Sequence, residues 1–271
     1  MNNAGVDLQR CLDRIGYAGP RRADLATLAA LQQAFLLHVP FENLDIHIGR
    51  PIVLETERLY SKIVEERRGG FCYECNGLFH AMLEALGFEV YCLAAAMLLD
   101  HSLPLDFGHL ALRIRLGQDD YLVDVGNGQS CRQPLRLNGG RARDEDIDYE
   151  VRAHASGHAL YYREPGGDWR PRFRFGTAPR HLHEFDALCR MHQTSPRSRF
   201  TRHRLASIAT GTGRVTLLDR ELDVSEGGSV AKRHLDSDQD YAAALEGYFG
   251  LRLPAPALER LLAGLPAGAG D

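Results

Sequence analysis

The hydrophobic period of the chain changes at Gly87, and that change constrains the fold more than any other feature. Before it, Leu8, Cys11, Leu12 and Ile15 recur at i, i+3, i+4, i+7, the spacing that lines one helix face. Gly19-Pro20 ends that segment. Leu25, Leu28, Leu31, Phe35 and Leu36 predict a second helix, stopped near Val39 by Pro40. A third is expected from about Thr56 through Leu59, Ile63 and Val64 to the breaker pair Gly69-Gly70. The fourth begins at Phe71 or Cys72, and Cys75, Leu78, Phe79, Met82, Leu83 and Leu86 hold helical period up to Gly87, a C-terminal stop.

After Gly87 the pattern becomes strand-like. Val90 to Leu99 is a nearly continuous apolar run, and Leu110, Leu112, Ile114 and Leu116 alternate with Ala111, Arg113 and Arg115 as in a half-buried strand. Gly117-Gln118-Asp119-Asp120 reads as a turn before Tyr121–Val125 returns. Further strands are expected at 149–153, 159–163, 172–175, 205–209, 214–218 and 221–224, with helices at 240–249 and 257–262. Helices and strands are segregated along the chain, which argues for α+β and against alternating α/β. The order of elements, helices, then many short strands, then a few strands and helices, sets expected boundaries near residues 88 and 195, giving segments 1–88, 89–194 and 195–271.

The 271 residues are 44% apolar and 25% charged, which excludes a disordered or fibrous chain. A net charge of −4 offers no electrostatic case for nucleic acid or an acidic membrane. No apolar run approaches the roughly 18 residues of a membrane span, and Met1–Asp7 lacks the basic start and apolar stretch of a signal peptide. A cytoplasmic protein is expected, with its six cysteines as free thiols. Lys62 and Lys232 are the only lysines, a composition bias. The arginine-rich stretch 163–204 reads as solvated surface, with an anionic ligand as its alternative.

Chemistry concentrates at Arg68-Gly69-Gly70-Phe71-Cys72. The two glycines let the backbone turn sharply, and Cys72 then falls in a first helical turn, where free N–H groups and the macrodipole favour a thiolate. A nucleophilic Cys needs a base, and the base an orienting group. His109 heads one strand and Asp124 lies on the returning strand, on the same face. A turn centred on Leu116-Gly117 would set them directly opposite; one centred on Gln118-Asp119 would offset them by four residues. Cys72-x-x-Cys75 also matches a redox or zinc spacing, but no second pair completes four zinc ligands; His181, His183 and Cys189 are too loosely arranged. Cys75 lies on the apolar face and reads as core. Neither a G-x-G-x-x-G nor a G-x-x-x-x-G-K-[ST] phosphate loop occurs.

Arg68-Gly69-Gly70-Phe71-Cys72-Tyr73-Glu74-x-Asn76-Gly77-Leu78-Phe79 resembles the active-site signature of arylamine N-acetyltransferases. Three further stretches agree in order and spacing: Val39-Pro40-Phe41-Glu42-Asn43-Leu44, then Asp124-Val125-Gly126 with Pro134-Leu135, then Ser195 to Thr201. The resemblance implies an N-terminal helical bundle carrying the nucleophile (1–88), a central antiparallel β-barrel carrying His and Asp (89–194) and a C-terminal α/β lid (195–271). This is a core like those of cysteine proteases and transglutaminases. It implies a Cys72-His109-Asp124 triad that takes acetyl from acetyl-CoA, without a metal, and passes it to an arylamine, hydrazine or N-hydroxyarylamine. Phe41 and Phe200 match acceptor-pocket positions, and Arg68 and Glu42 a structural ion pair. Cys75 stands where Leu is common, a conservative apolar exchange. Asn127 stands where the family usually has Phe. It implies a more open or polar pocket wall, unless Asn127 points away and an aromatic such as Phe107 supplies the wall. The expected partners are two small molecules, the amine and acetyl-CoA, with no nucleic acid or membrane, for a monomer or homodimer. Within the same core, an amide synthase of secondary metabolism or a Cys-His-Asp hydrolase is the alternative; a silent binding protein would not need the three residues intact.

Overall fold

Asp7 and Asp24 start the first two helices by accepting backbone N–H bonds from Arg10 and Thr27 at 3.2 and 2.8 Å. The computed structural model describes residues 5–98, 105–155 and 157–265. Helices α1 (Leu8–Arg14) and α2 (Leu25–His38) lie where the period placed them, and α2 stops at Val39 before Pro40. The third predicted helix divides into α4 (Thr56–Tyr60) and a single π-helical turn, Ser61–Glu65. Helix α5 (Cys72–Ala85) is buried along most of its length, because it packs on α1 and α4 with one face and on the first barrel strands with the other.

Eight antiparallel strands follow: β2 (Glu89–Met97), β3 (His109–Leu116), β4 (Asp119–Val123), β5 (Leu135–Arg136), β6 (Arg141–Asp144), β7 (Ile147–His154), β8 (Gly157–Arg163) and β9 (Arg170–Phe175). Their order, β5-β4-β3-β2-β9-β8-β7-β6, brings the short end strands β5 and β6 near each other, so the barrel is nearly closed. Leu99, at the end of the predicted run, lies outside the described residues. Leu110, Leu112 and Ile114 face the helices, as their alternation required. The opposite face differs from the half-buried expectation: Ala111 is fully buried with Leu93, Leu122, Phe173 and Phe175 inside the barrel.

A second sheet, β1-β10-β11-β12-β13, combines β10 (Leu205–Ala209), β11 (Gly213–Leu218), β12 (Glu221–Glu226) and β13 (Ser229–His234) with β1 (Phe41–Glu42) from far upstream. Helices α8 (Asp238–Phe249) and α9 (Ala255–Ala263) cover it. Their core of Leu217, Leu222, Tyr241, Leu245 and Phe249 also takes Leu44 and Ile48 from the short helix α3 (Leu44–Ile48). Residues 41–48, to which the period assigned no element, therefore join the N-terminal helices to the C-terminal sheet. Two more short helices, α6 (Asp186–Thr194) and α7 (Arg199–Arg202), lie between β9 and β10 in the chain and pack on each other. No described helix is long and apolar enough to cross a membrane.

Candidate active site

Cys72 is the first residue of α5, and close packing holds that helix start in place. A Cβ on Gly69 would stand 1.9 Å from the Pro40 carbonyl oxygen, and one on Gly70 2.6 Å from the Glu74 Cβ. The two glycines thus answer to space, not to a left-handed backbone. Glu74 Oε2 accepts the Phe71 N–H at 3.1 Å and caps the helix, while its Oε1 meets Lys62 Nζ at 2.7 Å. Beneath lies a buried charge cluster. Arg68 Nη2 reaches Glu42 at 2.7 Å and Asp45 at 2.8 Å, and Lys62 reaches Asp45 at 3.0 Å. Burial works against the Glu42 charge, yet Arg68, Lys62 and the Leu44 N–H pull its carboxyl down to about 2. For Glu74 burial prevails over Lys62 and, with Asp45 and Glu42 nearby, pushes its carboxyl up to about 7. The Arg68–Glu42 pair that the resemblance implies is present, and its setting makes Lys62 a structural residue as well.

His109 and Asp124 meet through neither of the two turn geometries weighed. Leu116 pairs with Asp119, so the turn is Gly117-Gln118, with Gly117 at φ 62°. In that register Asp124 falls opposite Ala111, one diagonal step from His109 on the same face, within reach of long side chains. The carboxylate completes the contact: His109 Nε2 lies 2.9 Å from Asp124 Oδ2. The Phe173 ring packs 5.0 Å from the imidazole and restrains its tilt.

Asn76 ties this hairpin to helix α5. Its Nδ2 donates to the Leu110 carbonyl at 2.7 Å and to Asp124 Oδ1 at 2.9 Å, and its Oδ1 accepts the Val125 N–H at 3.0 Å. Asp124 Oδ1 also accepts the Gly126 N–H at 2.9 Å. Burial would raise the Asp124 pKa, but His109, Asn76 and Gly126 together hold it below the usual carboxylate value. The sequence signal for Asn76 was a polar residue four positions after Cys72 on the face α5 buries; its role went unassigned.

Gly126 closes the arrangement. A Cβ there would lie 2.6 Å from the Cys72 Cα, so the loop after Asp124 rests directly on the Cys72 backbone. Burial pushes the Cys72 thiol up, the backbone N–H groups of Leu110 and Tyr73 pull it back, and the Asp124 charge adds to the rise. Burial prevails, so the helix start alone does not ionise the sulfur. His109 engages Asp124 through Nε2, which leaves Nδ1 as its other ring nitrogen. Cys75 points elsewhere: its Sγ donates to the Gly70 carbonyl at 3.1 Å, and it packs in the core as expected. All six cysteines are free and buried, and no group of His, Cys, Asp or Glu among the described residues could hold a metal.

Phe41 and Phe200 come together, ring centroids 6.2 Å apart, and Phe71 stacks edge-on to Phe200 at 5.4 Å. Asn127 faces a different neighbour: its Oδ1 accepts from Arg172 Nη2 at 2.9 Å and Nε at 3.2 Å. Phe107 packs on Phe185 at 5.2 Å, with Arg180 over its ring. His192, which the sequence gave no reason to single out, lies 5.3 Å from Phe200, and burial lowers its pKa.

A family model described as N-acetyltransferase matches residues 24–258. The arylamine N-acetyltransferase of Mycolicibacterium smegmatis is 35% identical over 257 residues, covering 92% of this chain and 93% of the relative. That of Escherichia coli is 30% identical over 88% of this chain and 86% of its own length. The structure of Mycobacterium marinum arylamine N-acetyltransferase in complex with CoA superposes with a TM-score of 0.87 at 30% identity, covering 94% of this chain and 98% of that one. The chain belongs to the arylamine N-acetyltransferase family.

Proposed function

We propose that this protein is an acetyl-CoA-dependent arylamine N-acetyltransferase that works by double displacement through Cys72. The observation that carries the reading is the loop Asp124–Gly126: one end fixes His109 and the other rests on the Cys72 backbone. His109 Nδ1 takes the thiol proton as the sulfur attacks the acetyl carbonyl of acetyl-CoA. The C–S bond to CoA breaks, and the CoA thiol leaves with the proton from His109. An arylamine, hydrazine or N-hydroxyarylamine then attacks the Cys72 thioester. Its proton passes through His109 to the sulfur, and the amide departs. Asp124 holds the imidazole in orientation and offsets the imidazolium charge. Backbone N–H groups in the first turn of α5 are the donors to the tetrahedral oxyanion. Phe41, Asn127 and Phe200 are the acceptor-side residues of this scheme. The names of the relatives support the donor and acceptor classes. A cytoplasmic monomer or homodimer is part of the proposal, and six free thiols suit a reducing compartment.

Mass spectrometry after incubation with acetyl-CoA and no amine tests the scheme. One acetyl group on Cys72, with parallel initial-rate lines against both substrates, is the expected result. An unmodified Cys72 together with intersecting lines would overturn it in favour of direct transfer.

A further inference from the structure

The backbone leading into His109 lies ahead of the β-ladder, and it is strained. Ala95 pairs with His109 at the end of the β2–β3 register, so residues 105–108 precede the paired strand. They form a turn, in which the Gly108 N–H donates to the Leu105 carbonyl at 2.9 Å. Phe107 holds the third turn position at φ 64°, a left-handed conformation that a bulky residue seldom adopts and that turns ordinarily give to Gly or Asn. The adjacent glycine does not relieve it. Gly108 answers to space, because a Cβ there would stand 2.7 Å from the Leu105 carbonyl oxygen.

Strain of this kind persists only where the surroundings impose it. On one side the Phe107 ring is anchored on the fully buried Phe185 and beneath Arg180. On the other the Tyr73 hydroxyl donates to the Phe107 carbonyl at 2.8 Å. Tyr73 has little freedom of its own. It is fully buried, and its ring meets Phe71 at 5.1 Å, Phe185 at 5.8 Å and His192 at 6.1 Å. Burial raises the pKa of the phenol, so the hydroxyl keeps its proton and remains a donor.

Tyr73 follows Cys72 in the first turn of α5, and Phe107 stands two residues before His109. Their hydrogen bond therefore joins the immediate surroundings of Cys72 to those of His109 by a path that uses neither Asn76 nor Asp124. Tyr73 and Asn76 are three residues apart on α5 and so share a face. Asn76 holds the strand just after His109, through the Leu110 carbonyl, and Tyr73 holds the turn just before it. We propose that Tyr73 is a positioning residue for the transfer reaction: its hydroxyl, acting through the Phe107 carbonyl, sets the His109 imidazole against the Cys72 sulfur. The proposal rests on the acetyl-transfer reading, in which His109 serves both half-reactions.

Alkylation of Cys72 by iodoacetamide, followed by peptide mass spectrometry, tests this in Tyr73→Phe, His109→Ala and the double variant. Tyr73→Phe removes one oxygen and keeps the buried ring, so the fold should survive with a Tm lowered by about 2–4 °C. With His109 present, Tyr73→Phe should slow alkylation about tenfold, less than the roughly hundredfold that a 1 Å misplacement can cost. In the His109→Ala background it should change the rate by less than about twofold, because the group it positions is gone. A purely structural role would lower the Tm in both backgrounds and leave the rates alone. Acetylation by acetyl-CoA and deacetylation by aniline, each in a single turnover, should both slow about tenfold in Tyr73→Phe, with the half-saturating acetyl-CoA concentration unchanged. Unchanged alkylation in Tyr73→Phe, equal slowing with and without His109, or a loss confined to half-saturation overturns the proposal. If the alkylation pattern holds while acetyl-CoA leaves Cys72 unmodified, the transfer reading fails and the positioning role stands.

Discussion

Replacing Asn76 with Ala should separate what holds the hairpin on the helix from what performs chemistry. The substitution removes three hydrogen bonds, two to neutral backbone groups and one to an ionised carboxylate. At about 1 kcal/mol for each neutral bond and about 2 for the charged one, the loss is about 4 kcal/mol. It leaves the Leu110 carbonyl and the Val125 N–H without these partners in a buried setting. Against a total stability of roughly 5–15 kcal/mol, and at about 2–4 °C per kcal/mol for a chain of this size, the Tm should drop by about 10 °C. Asp124 also loses one of the three donors that hold its pKa down. Its pKa must then rise, and the acid limb of the pH profile for Cys72 acylation should move to higher pH. Acylation below the melting range should slow on the order of tenfold, as His109 loses its fixed orientation. Thermal unfolding by circular dichroism and acetyl incorporation followed by mass spectrometry across pH measure the two effects. A Tm within about 2 °C of the parent would refute the energetic argument. A lowered Tm with an unmoved pH profile would show that Asn76 supports the fold without positioning the triad.

Two further outcomes follow from the electrostatics. Glu42→Gln leaves Arg68 and Lys62 buried with less compensation, and should cost about 3–5 kcal/mol at neutral pH in urea unfolding. Because the folded pKa of Glu42 is held down at about 2 from an ordinary 4.5, its contribution is complete above pH 4.5 and lost as pH falls toward 2; a gap between parent and variant that stays constant from pH 7 to 3 would contradict this. Iodoacetamide should modify Cys72 before Cys75, whose thiol burial pushes well above its ordinary value with Glu74 adding to the rise. His109→Ala should remove much of that preference, and alkylation of Cys75 first would give the wrong nucleophile.

The long amphipathic elements were legible because their period is local. Helices α1, α2 and α5 and strand β3 begin within a residue or two of where the apolar spacing set them. Elements stabilised by distant partners were not. Strand β1 and helix α3 are short and carry Glu42 and Asp45, polar residues that are buried only because Lys62 and Arg68 neutralise them. Helix α6 buries little besides Cys189, so its pattern reads as surface. Sequence placed His109 and Asp124 on one face, but their register depended on where the turn closed. Gly117 took the first turn position, a geometry between the two considered. The contacts of Asn76 with Asp124 and of Arg172 with Asn127 were not legible, for a common reason. Their partners lie 34 to 49 positions away, and nothing in local spacing reports a contact at that range.

The segment 124–129 is where these distant contacts accumulate, and this bears on how activity and stability must be coupled. Asp124 bonds to His109 on the barrel and Asn76 on the helix, Gly126 touches Cys72, and Gly128 accepts from Ser207 and Arg214 in the C-terminal sheet. Six residues thus touch all three packing units, while the segment lies beyond the end of β4 and forms no strand of its own. A loop with so little local structure keeps its shape only while its partners stay docked. Opening of the sheet away from the barrel would release Gly128 from Ser207 and Arg214, would leave Arg172 with the barrel, and would loosen the proposed acceptor side before it disturbs the His109–Asp124 contact. Loss of the helix docking through Asn76 would strike the proposed triad directly, because Asn76 bonds to Asp124. Acceptor selectivity and nucleophile acylation should therefore fail through different perturbations of one short loop, although the residues responsible are neighbours in sequence.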